Sequence, residues 1–350
     1  MTRVLVIGGG QGAEHEVSLA GAAGVAAALR ETGFTVDELT IGRDGCWARG
    51  DERLGDSPVR SMRGALVAME DADAVFPVVH GPLGEDGALA AFCALAGIPV
   101  VGSGLRAGAI GMDKWMTKLV AEAVGIRTAR GRLIGRADIG DVEFEAPVVV
   151  KPVAEGSSFG VSLVTDAAQL PDALRRAARF DERILIEEVV RGREIDVAVL
   201  REAGGVRWAA PALEIGTVGD GLFDTTAKYD GSARFTVPAD LTRSQRSALT
   251  AAALRMFDAL GCAGVARIDF FLTDDGPVLN EVNTMPGLTA QSQVPRMFAA
   301  AGVGYGELVA RMVRAALAGV DAGVDAGADA GAAPVGTIAA TIAATMAGKA

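Results

Sequence analysis

Short apolar runs alternate with longer Ala- and Leu-rich stretches along most of the chain. Residues 3–8 form an apolar run that ends in glycines, residues 17–30 carry a helical pattern, and residues 34–39 form a second run. Gly33 separates the helix from that second run. A strand–helix–strand order of this kind is typical of a parallel sheet. The pattern therefore predicts an α/β fold from the N-terminus onward.

Further strands and helices follow from the same patterns. Asp113 is a predicted N-cap for the helix that follows it, and Gly125 a predicted end. Arg191-Gly192 is predicted to turn one strand back into the next. The predicted strands are 74–79, 98–101, 147–150, 161–164, 184–190 and 194–200, and the predicted helices are 88–96, 114–124, 242–260, 294–301 and 305–318.

A hairpin is predicted in residues 267–283, where two alternating strands flank turn chemistry at residues 273–277. If those five residues form the loop, Leu272 lies opposite Val278. Counting outward from that pair gives the register of the whole hairpin, because side chains in paired strands lie opposite one another.

In this register Asp269 lies opposite Glu281, and Arg267 lies opposite Asn283. Two carboxylates opposite each other on one face repel, and a divalent cation between them removes that repulsion. Carboxylate and amide oxygens suit Mg²⁺, which usually lies between protein carboxylates and substrate phosphates. The pattern indicates a magnesium–nucleotide site, with a solvent-exposed acidic face as the alternative.

Composition narrows the class of protein. The chain has 350 residues, half of them hydrophobic, a net charge of −11 and a pI of about 4.8. This balance argues against nucleic acid or an acidic membrane as a partner. Cys46, Cys93 and Cys262 are scattered, which predicts reduced buried thiols. No signal peptide or run of about 20 apolar residues is recognisable, so we expect a cytoplasmic protein.

The first glycine turn has an alternative interpretation. Gly8-x-Gly10-x-x-Ala13, with Asp37 or Glu38 after the second strand, matches a dinucleotide-binding fingerprint. Glu14 follows at once, however, where it would repel a pyrophosphate. A carboxylate at this helix start suits the helix dipole and could bind an ammonium group, or it could simply cap the first turn.

Polar loops follow several of the predicted strands. His80 ends a strand and opens a loop with three glycines, at an edge where ligands gather in parallel sheets. Lys151 precedes a Gly/Ser loop at 152–160, whose backbone N–H groups and hydroxyls could bind phosphate.

Two longer polar segments have their own predictions. Residues 216–235 could form a lid over a site. Residues 319–333 repeat small and acidic residues, which predicts a disordered tail.

Eight motifs in order resemble the D-alanine–D-alanine ligase family of the ATP-grasp fold. They are GAEHEVS at 12–18, HGPLGEDG at 80–87, GSG…MDK at 102–114, VKPVAEGSSFGVS at 150–162, EEVVRGRE at 187–194, AKY at 227–229, ARIDFF at 266–271 and NEVNTMPGLT at 280–289. The resemblance implies a three-domain ATP-grasp ligase, with ATP held between the second and third domains. The expected boundaries are 1–110, 111–195 and 196–318, followed by a tail at 319–350.

The resemblance also implies roles for individual residues. Two Mg²⁺ ions, or Mn²⁺ in their place, would be held by Asp269, Glu281 and Asn283. The catalytic residues would be Glu14, Ser157, Tyr229, Arg267 and the backbone N–H of Gly287. The substrates would meet Glu14, His80, Ser292 and Gln293. ATP would meet Lys114, Lys151, Glu155, Gly156, Ser157, Ser158, Glu187, Glu188, Val190, Glu194, Lys228 and Asn280.

The implied reaction joins two D-alanines for cell-wall synthesis. The first carboxylate takes the γ-phosphoryl group of ATP to give an acyl phosphate, and the amine of the second D-alanine displaces phosphate. Two positions depart from the family pattern: Phe223 replaces a frequent tyrosine, and Gln293 replaces a usual leucine beside the second substrate. Similar enzymes are usually homodimers.

Three alternatives stay open at this stage. A paralogue could join D-alanine, or another D-amino acid, to a different acceptor such as D-serine or D-lactate. A dinucleotide-dependent oxidoreductase would fit the glycine turn. A nucleotide-binding module without catalysis would use the same loops. The complete set of Lys, Asp, Glu and Arg residues weighs against the last two.

Overall fold

A computed structural model describes residues 1–216 and 234–328, with side chains up to residue 319. The strands are β1 (Arg3–Gly9), β2 (Thr35–Ile41), β3 (Trp47–Arg49), β4 (Glu52–Arg53), β5 (Ala74–Pro77), β6 (Arg127–Thr128), β7 (Gly131–Gly135), β8 (Val148–Pro152), β9 (Ser162–Val164), β10 (Arg183–Glu188), β11 (Arg193–Arg201), β12 (Arg207–Ala209), β13 (Leu213–Gly216), β14 (Arg234–Thr236), β15 (Val265–Thr273) and β16 (Gly276–Asn283).

The α-helices of the described residues are α1 (His15–Glu31), α2 (Pro58–Met69), α3 (Ala88–Leu95), α4 (Leu105–Met112), α5 (Lys114–Ala123), α6 (Leu170–Ala177), α7 (Arg243–Leu260), α8 (Gln293–Ala300) and α9 (Tyr305–Ala328). Short 3₁₀ helices cover Arg136–Asp141 and Ala167–Gln169. In residues 1–216 and 234–328, no helix is long and apolar enough to cross a bilayer. The three cysteines are free and buried, as predicted.

The strands form three sheets. The first has the order β4-β3-β2-β1-β5, in which β1 runs parallel to both β2 and β5, as the strand–helix–strand pattern predicted. The second is antiparallel, with the order β7-β10-β8-β9. The third has the order β14-β13-β11-β15-β16-β6, and β12 pairs with β11. Mixed helices and sheets give the expected α/β class.

One apolar core joins the first and third sheets. Val4 and Phe76 of the first sheet belong to the same buried cluster as Leu200 of the third sheet and Phe298 of α8. The second sheet has its own core, in which α6 buries its apolar face. The loops at the ends of the first sheet are thereby held against the hairpin of the third.

The predicted return of one strand onto the next after Arg191-Gly192 is wrong. β10 pairs within the second sheet, whereas β11 pairs with β15 in the third, from Arg193 opposite Leu272 onward. Gly192 passes so close to the neighbouring strand that a Cβ there would lie 2.8 Å from the Leu272 carbonyl oxygen. The segment therefore crosses between two sheets instead of forming a hairpin.

The turn of the β15–β16 hairpin is also tighter than predicted. Thr273 pairs with Gly276, so a two-residue turn replaces the predicted five-residue loop. Leu272 consequently lies opposite Pro277, and the predicted pairing of Leu272 with Val278 is wrong. Gly276 has a φ of +107°, which favours glycine at this point of the turn.

A β-bulge restores the predicted register farther along the hairpin. Asn280 is the extra residue on β16, because Phe270 pairs with Leu279 while Asp269 pairs with Glu281. The pairing of Asp269 with Glu281 is therefore confirmed, although the turn that suggested it has a different length.

The last helix extends past the predicted end at residue 318 and reaches Ala328. Residues 329–350, which include most of the predicted tail, lie outside the described residues. The predicted lid at 216–235 falls almost entirely between the two described ranges, and Phe223, Lys228 and Tyr229 lie there.

Candidate active site

Two adjoining cavities of about 450 Å³ each lie between the sheets. The first is bounded by loops of the first sheet and by the β15–β16 hairpin, and the second lies between the second and third sheets. Both are lined by Lys114, Glu155, Glu194 and Glu281. These shared residues form a charged wall at which ligands of the two cavities would meet.

Glu14 extends into the first cavity. It precedes α1, but its side chain makes no capping hydrogen bond to that helix, so the interpretation of Glu14 as a helix cap is wrong. Its Oε1 instead accepts a hydrogen bond of 2.5 Å from Ser157 Oγ. A Cβ at Gly156 would lie 3.3 Å from the other carboxylate oxygen, so glycine leaves room for this contact.

The loop that carries Ser157 has unusual backbone angles. Ser157 and Ser158 have φ values of +48° and +60°, in the left-handed region that non-glycine residues seldom adopt. Two contacts hold the first part of the loop: Ala154 N donates to the Asp181 carboxylate at 2.8 Å, and Lys114 Nζ donates to the Glu155 carbonyl at 2.5 Å. Such strain is characteristic of ligand-binding loops.

Arg267 projects from β15 into the first cavity. Its Nε and Nη2 each donate to one carboxylate oxygen of Asp269, both at 2.8 Å. Asp196 of the adjacent strand is completely buried, and its Oδ2 lies 3.4 Å from Arg267 Nε. Burial lowers the pKa of Arg267, but Asp269 and Asp196 overcome that effect and hold the pKa well above its usual range. The guanidinium is a fixed cation here.

Asp269, Glu281 and Asn283 line the same cavity, as the hairpin register predicted. Asn283 Nδ2 donates to Asp269 Oδ2 at 2.9 Å. Lys114 Nζ lies 3.9 Å from Glu281 Oε2. Among the residues with coordinates, no three His, Cys, Asp or Glu side chains form a metal cage. Two carboxylates and an amide fit Mg²⁺, because this ion takes its remaining ligands from phosphates and water.

Glu187 lines the second cavity and pairs with two lysines. Lys118 Nζ and Lys151 Nζ each lie 2.5 Å from one of its carboxylate oxygens, and Lys118 also donates to the Ala129 carbonyl. Burial raises the pKa of Glu187, but the two lysines outweigh it and the pKa is lowered. The wall of the second cavity therefore carries an ionised carboxylate that is paired with Lys151, which also lines the cavity, and with the buried Lys118.

Most of the other residues predicted to contact ATP line this second cavity. Glu188 accepts a hydrogen bond of 2.9 Å from the Arg130 backbone. Burial raises the pKa of Glu155. The predicted positions found here are Lys114, Lys151, Glu155, Ser158, Glu187, Glu188, Val190, Glu194 and Asn280. Gly156 and Ser157 line the first cavity instead.

His80 connects the first sheet to the third. Its Nδ1 lies 3.1 Å from the Met285 carbonyl oxygen and 3.5 Å from Glu85 Oε1. Burial lowers the pKa of His80, but the carboxylates of Glu85 and Glu14 and the Met285 carbonyl outweigh it, so the pKa is raised. Among the described residues, His80 Nε2 is buried without a hydrogen-bond partner.

Ser292 and Gln293 lie where β16 leads into α8. Ser292 Oγ accepts a hydrogen bond of 3.1 Å from Thr289 N, and a Cβ at Gly287 would lie 3.2 Å from Ser292 Oγ. Gln293 Oε1 accepts a hydrogen bond of 2.6 Å from Arg267 Nη1. The structure thus brings the residues predicted for the second substrate next to Arg267.

Several residues of these contacts were not among the predicted site residues, among them Glu85, Lys118 and Asp196. Glu85 lies in the loop with three glycines that begins at His80. Lys118 lies one helical turn after Lys114 on α5, and this spacing could have indicated a shared helix face. Asp196 lies two residues after Glu194 on a strand, and this spacing could have indicated a shared face.

Family models match most of the chain. The D-ala D-ala ligase N-terminus matches residues 3–103, and the D-ala D-ala ligase C-terminus matches residues 138–314. A D-alanine–D-alanine ligase from Mycobacterium sp. (strain KMS) is 40% identical over 358 residues, covering 91% of this chain and 96% of the relative. The D-alanine–D-alanine ligase of Mycobacterium tuberculosis (strain CDC 1551 / Oshkosh) is 38% identical over 356 residues, covering 90% and 95%.

Solved structures agree with these relatives. The VanG D-Ala:D-Ser ligase from Enterococcus faecalis has a TM-score of 0.76 and 29% identity, covering 90% of this chain and 99% of its own. The D-alanine–D-alanine ligase of Bacillus anthracis, solved in complex with ATP, has a TM-score of 0.75 and 26% identity, covering 92% and 100%.

The fold and its two adjoining cavities define an ATP-dependent ligase of the ATP-grasp class. Within that class, the chain belongs to the D-alanine–D-alanine ligase family. The dinucleotide interpretation of the first glycine turn is therefore wrong.

Proposed function

We propose that this protein joins two D-alanines to D-alanyl-D-alanine, with conversion of ATP to ADP and phosphate, for cell-wall synthesis. The observation that carries the proposal is the convergence of Glu14, Ser157, Arg267 and the Asp269–Glu281 pair in one cavity beside a lysine-lined second cavity. We also propose the division into domains at 1–110, 111–195 and 196–318, followed by a tail at 319–350 whose first residues continue α9 as far as Ala328.

ATP occupies the second cavity in this proposal. Glu187 meets the adenine, Glu194 the ribose, and Lys114 and Lys151 the phosphates. Lys151 pairs with Glu187 in the structure, so it would exchange part of that contact for phosphate. The left-handed loop at Ser157 and Ser158 directs backbone N–H groups toward the phosphates, since such loops form anion-binding concavities.

Asp269, Glu281 and Asn283 would hold two Mg²⁺ ions, or Mn²⁺. Bound there, the metal would supply charge neutralisation for the transferring phosphoryl group. Lys114, which lies beside Glu281 on the wall shared by the two cavities, adds a fixed positive charge at the same place.

The first D-alanine lies with its ammonium group on Glu14. Its carboxylate attacks the γ-phosphorus, the bond to ADP breaks, and an acyl phosphate forms. The Ser157 hydroxyl fixes the Glu14 carboxylate, so the substrate is held by a group that has little freedom of its own. His80 lies at the end of the same cavity and completes its substrate-facing wall.

The amine of the second D-alanine then attacks the acyl carbon. The tetrahedral intermediate carries a negative oxygen, which Arg267 and the Gly287 N–H stabilise. Collapse of the intermediate releases phosphate and forms the amide bond, and the amine loses a proton. Ser292 meets the carboxylate of the second substrate, and Gln293 lies beside it. Lys228 and Tyr229 would close the site from the lid segment.

The experiment that tests the proposal is a phosphate-release assay with ATP, Mg²⁺ and D-alanine, repeated with D-serine and with D-lactate as second substrates. Release with D-alanine alone, together with D-alanyl-D-alanine in the product, supports the proposal. Release only with another acceptor would instead favour a paralogue, for which Gln293 in place of the usual leucine is the specific indication.

We further propose a cytoplasmic homodimer that binds neither nucleic acid nor membrane. The acidic composition supports the proposed lack of binding to nucleic acid and membranes. Light scattering of the purified protein at micromolar concentration tests the oligomeric state, and a monomer would contradict it.

A further inference from the structure

Gln293 contacts the proposed oxyanion-stabilising residue directly. Arg267 Nη1 donates to Gln293 Oε1 at 2.6 Å, although one residue lies on β15 and the other begins α8. Both side chains line the first cavity. The contact therefore ties the third sheet to the helix that carries Ser292 at its N-terminus.

The other contacts of Arg267 involve carboxylates only. Asp269 accepts from Nε and Nη2, which together form one edge of the guanidinium, and Asp196 lies near the same Nε. Gln293 accepts from Nη1, on the opposite side. A planar group held along one edge can still tilt about that edge, whereas a second anchor on the far side fixes the plane.

The carboxylate anchor is shared with the proposed metal site. Asp269 Oδ2 already accepts from both Arg267 and Asn283. A cation bound to Asp269 would compete for the same lone pairs and weaken their hold on the guanidinium. The amide oxygen of Gln293 lies on the other side of Arg267 and takes no part in that competition.

We infer that Gln293 is a positioning residue, whose amide oxygen holds the Arg267 guanidinium in place when the metal site is loaded. The inference rests on the proposed role of Arg267 in the second step. It concerns a residue of this chain that stands where the family usually has leucine, which offers no hydrogen bond.

The first test compares Gln293→Met with Gln245→Met. Methionine has nearly the length of glutamine but no amide oxygen. Gln245 lies in the first turn of α7, outside both cavities, and its amide oxygen accepts from Thr242 N at 3.0 Å. We expect kcat to fall about tenfold in Gln293→Met, as for the loss of one hydrogen bond to a charged group. The KM for ATP should stay within about twofold, and Gln245→Met should keep the wild-type kcat.

The second test does not depend on activity. In protein labelled with ¹³C and ¹⁵N in arginine and loaded with Mg-ADP, NMR measures the rotation of the Arg267 guanidinium about its Nε–Cζ bond. The signal is assigned by its loss in Arg267→Lys. We expect faster rotation in Gln293→Met than in the wild type, and slow rotation again in Gln293→Glu, which restores an acceptor.

An unchanged kcat or an unchanged rotation rate in Gln293→Met would overturn the inference while leaving the proposed function intact. If Arg267→Lys itself kept the wild-type kcat, the proposed role of Arg267 would fail, and the inference would fail with it. The two failures are therefore distinguishable.

Discussion

Ser157 donates a hydrogen bond of 2.5 Å to Glu14, although 143 residues separate them along the chain. One residue precedes the first helix of the N-terminal sheet, and the other lies in a loop between two strands of the second sheet. The contact forms only when the two sheets are packed as they are here. In the proposed complex, a substrate amine on Glu14 would thus meet a carboxylate whose direction is set by the loop that carries Ser157.

The first prediction concerns this pair. Ser157→Ala removes one hydrogen bond that directs the Glu14 carboxylate, so the KM for the first D-alanine should rise about tenfold. Steady-state kinetics with varied D-alanine at saturating ATP provide the measurement. A variant with normal D-alanine kinetics would show that Ser157 does not position Glu14.

The second prediction concerns the hairpin carboxylates. Glu281→Gln keeps the side-chain shape but removes a negative charge from the proposed metal site, so Mg-ATP turnover should fall at least about a hundredfold. Circular dichroism should show a folded protein.

The matched control for Glu281→Gln is Asp274→Asn in the turn of the same hairpin. Asp274 is exposed and lies outside both cavities, so its variant should keep wild-type turnover. Equal turnover in the two variants would mean that Glu281 does not hold the metal.

The third prediction concerns the buried ion cluster of Lys118, Glu187 and Lys151. Glu187→Leu leaves two buried ammonium groups without their anion and should lower the free energy of unfolding by about 3–5 kcal/mol. Lys118→Met leaves one ion pair intact and should cost about 1–3 kcal/mol. Urea unfolding of the two variants measures both values. A larger loss in Lys118→Met than in Glu187→Leu would contradict the central role of Glu187 in the cluster.

Glu187 also predicts a dependence of stability on pH. Its pKa is lower in the folded protein than the ordinary value of 4.5. The ionised form therefore stabilises the fold above pH 4.5, and this contribution is lost as the pH falls through the lower folded value. The difference in unfolding free energy between wild type and Glu187→Gln should shrink in acid. A difference that stays constant with pH would contradict a stabilising ionised form of Glu187.

His80 predicts the opposite dependence. Its pKa is raised above 6.5 in the folded protein by Glu85, Glu14 and the Met285 carbonyl. The protonated form therefore stabilises the fold fully below pH 6.5, and this contribution is lost as the pH rises through the folded value. Thermal unfolding of wild type and His80→Gln should converge at alkaline pH. A difference in unfolding temperature that grows with rising pH would contradict stabilisation by protonated His80.

The pairing of Asp269 with Glu281 could be predicted from the sequence because alternation and hairpin register are local properties. The predicted pair is correct although the predicted turn is not. The shorter turn shifts the register by one residue, and the bulge at Asn280 shifts it back. Turn length and bulges depend on how the hairpin packs in its sheet, which the local pattern does not contain.

Contacts between distant segments were harder to predict. Whether Glu14 caps its own helix or reaches Ser157 depends on the packing of two sheets. Lys118 pairs with Glu187, which is 69 residues away along the chain, only because α5 packs beside the second sheet. The resemblance to the family gave the positions of most site residues, but it gave no indication of the hydrogen bond between Arg267 and Gln293.

The bulge at Asn280 separates the hairpin into two parts. On one side, the pairs Arg267–Asn283 and Asp269–Glu281 line the first cavity. On the other side, the strands run out to an exposed turn at Asp274 and Asp275. A fluorophore or a peptide epitope attached at that turn would therefore leave the cavity-lining residues of the hairpin untouched.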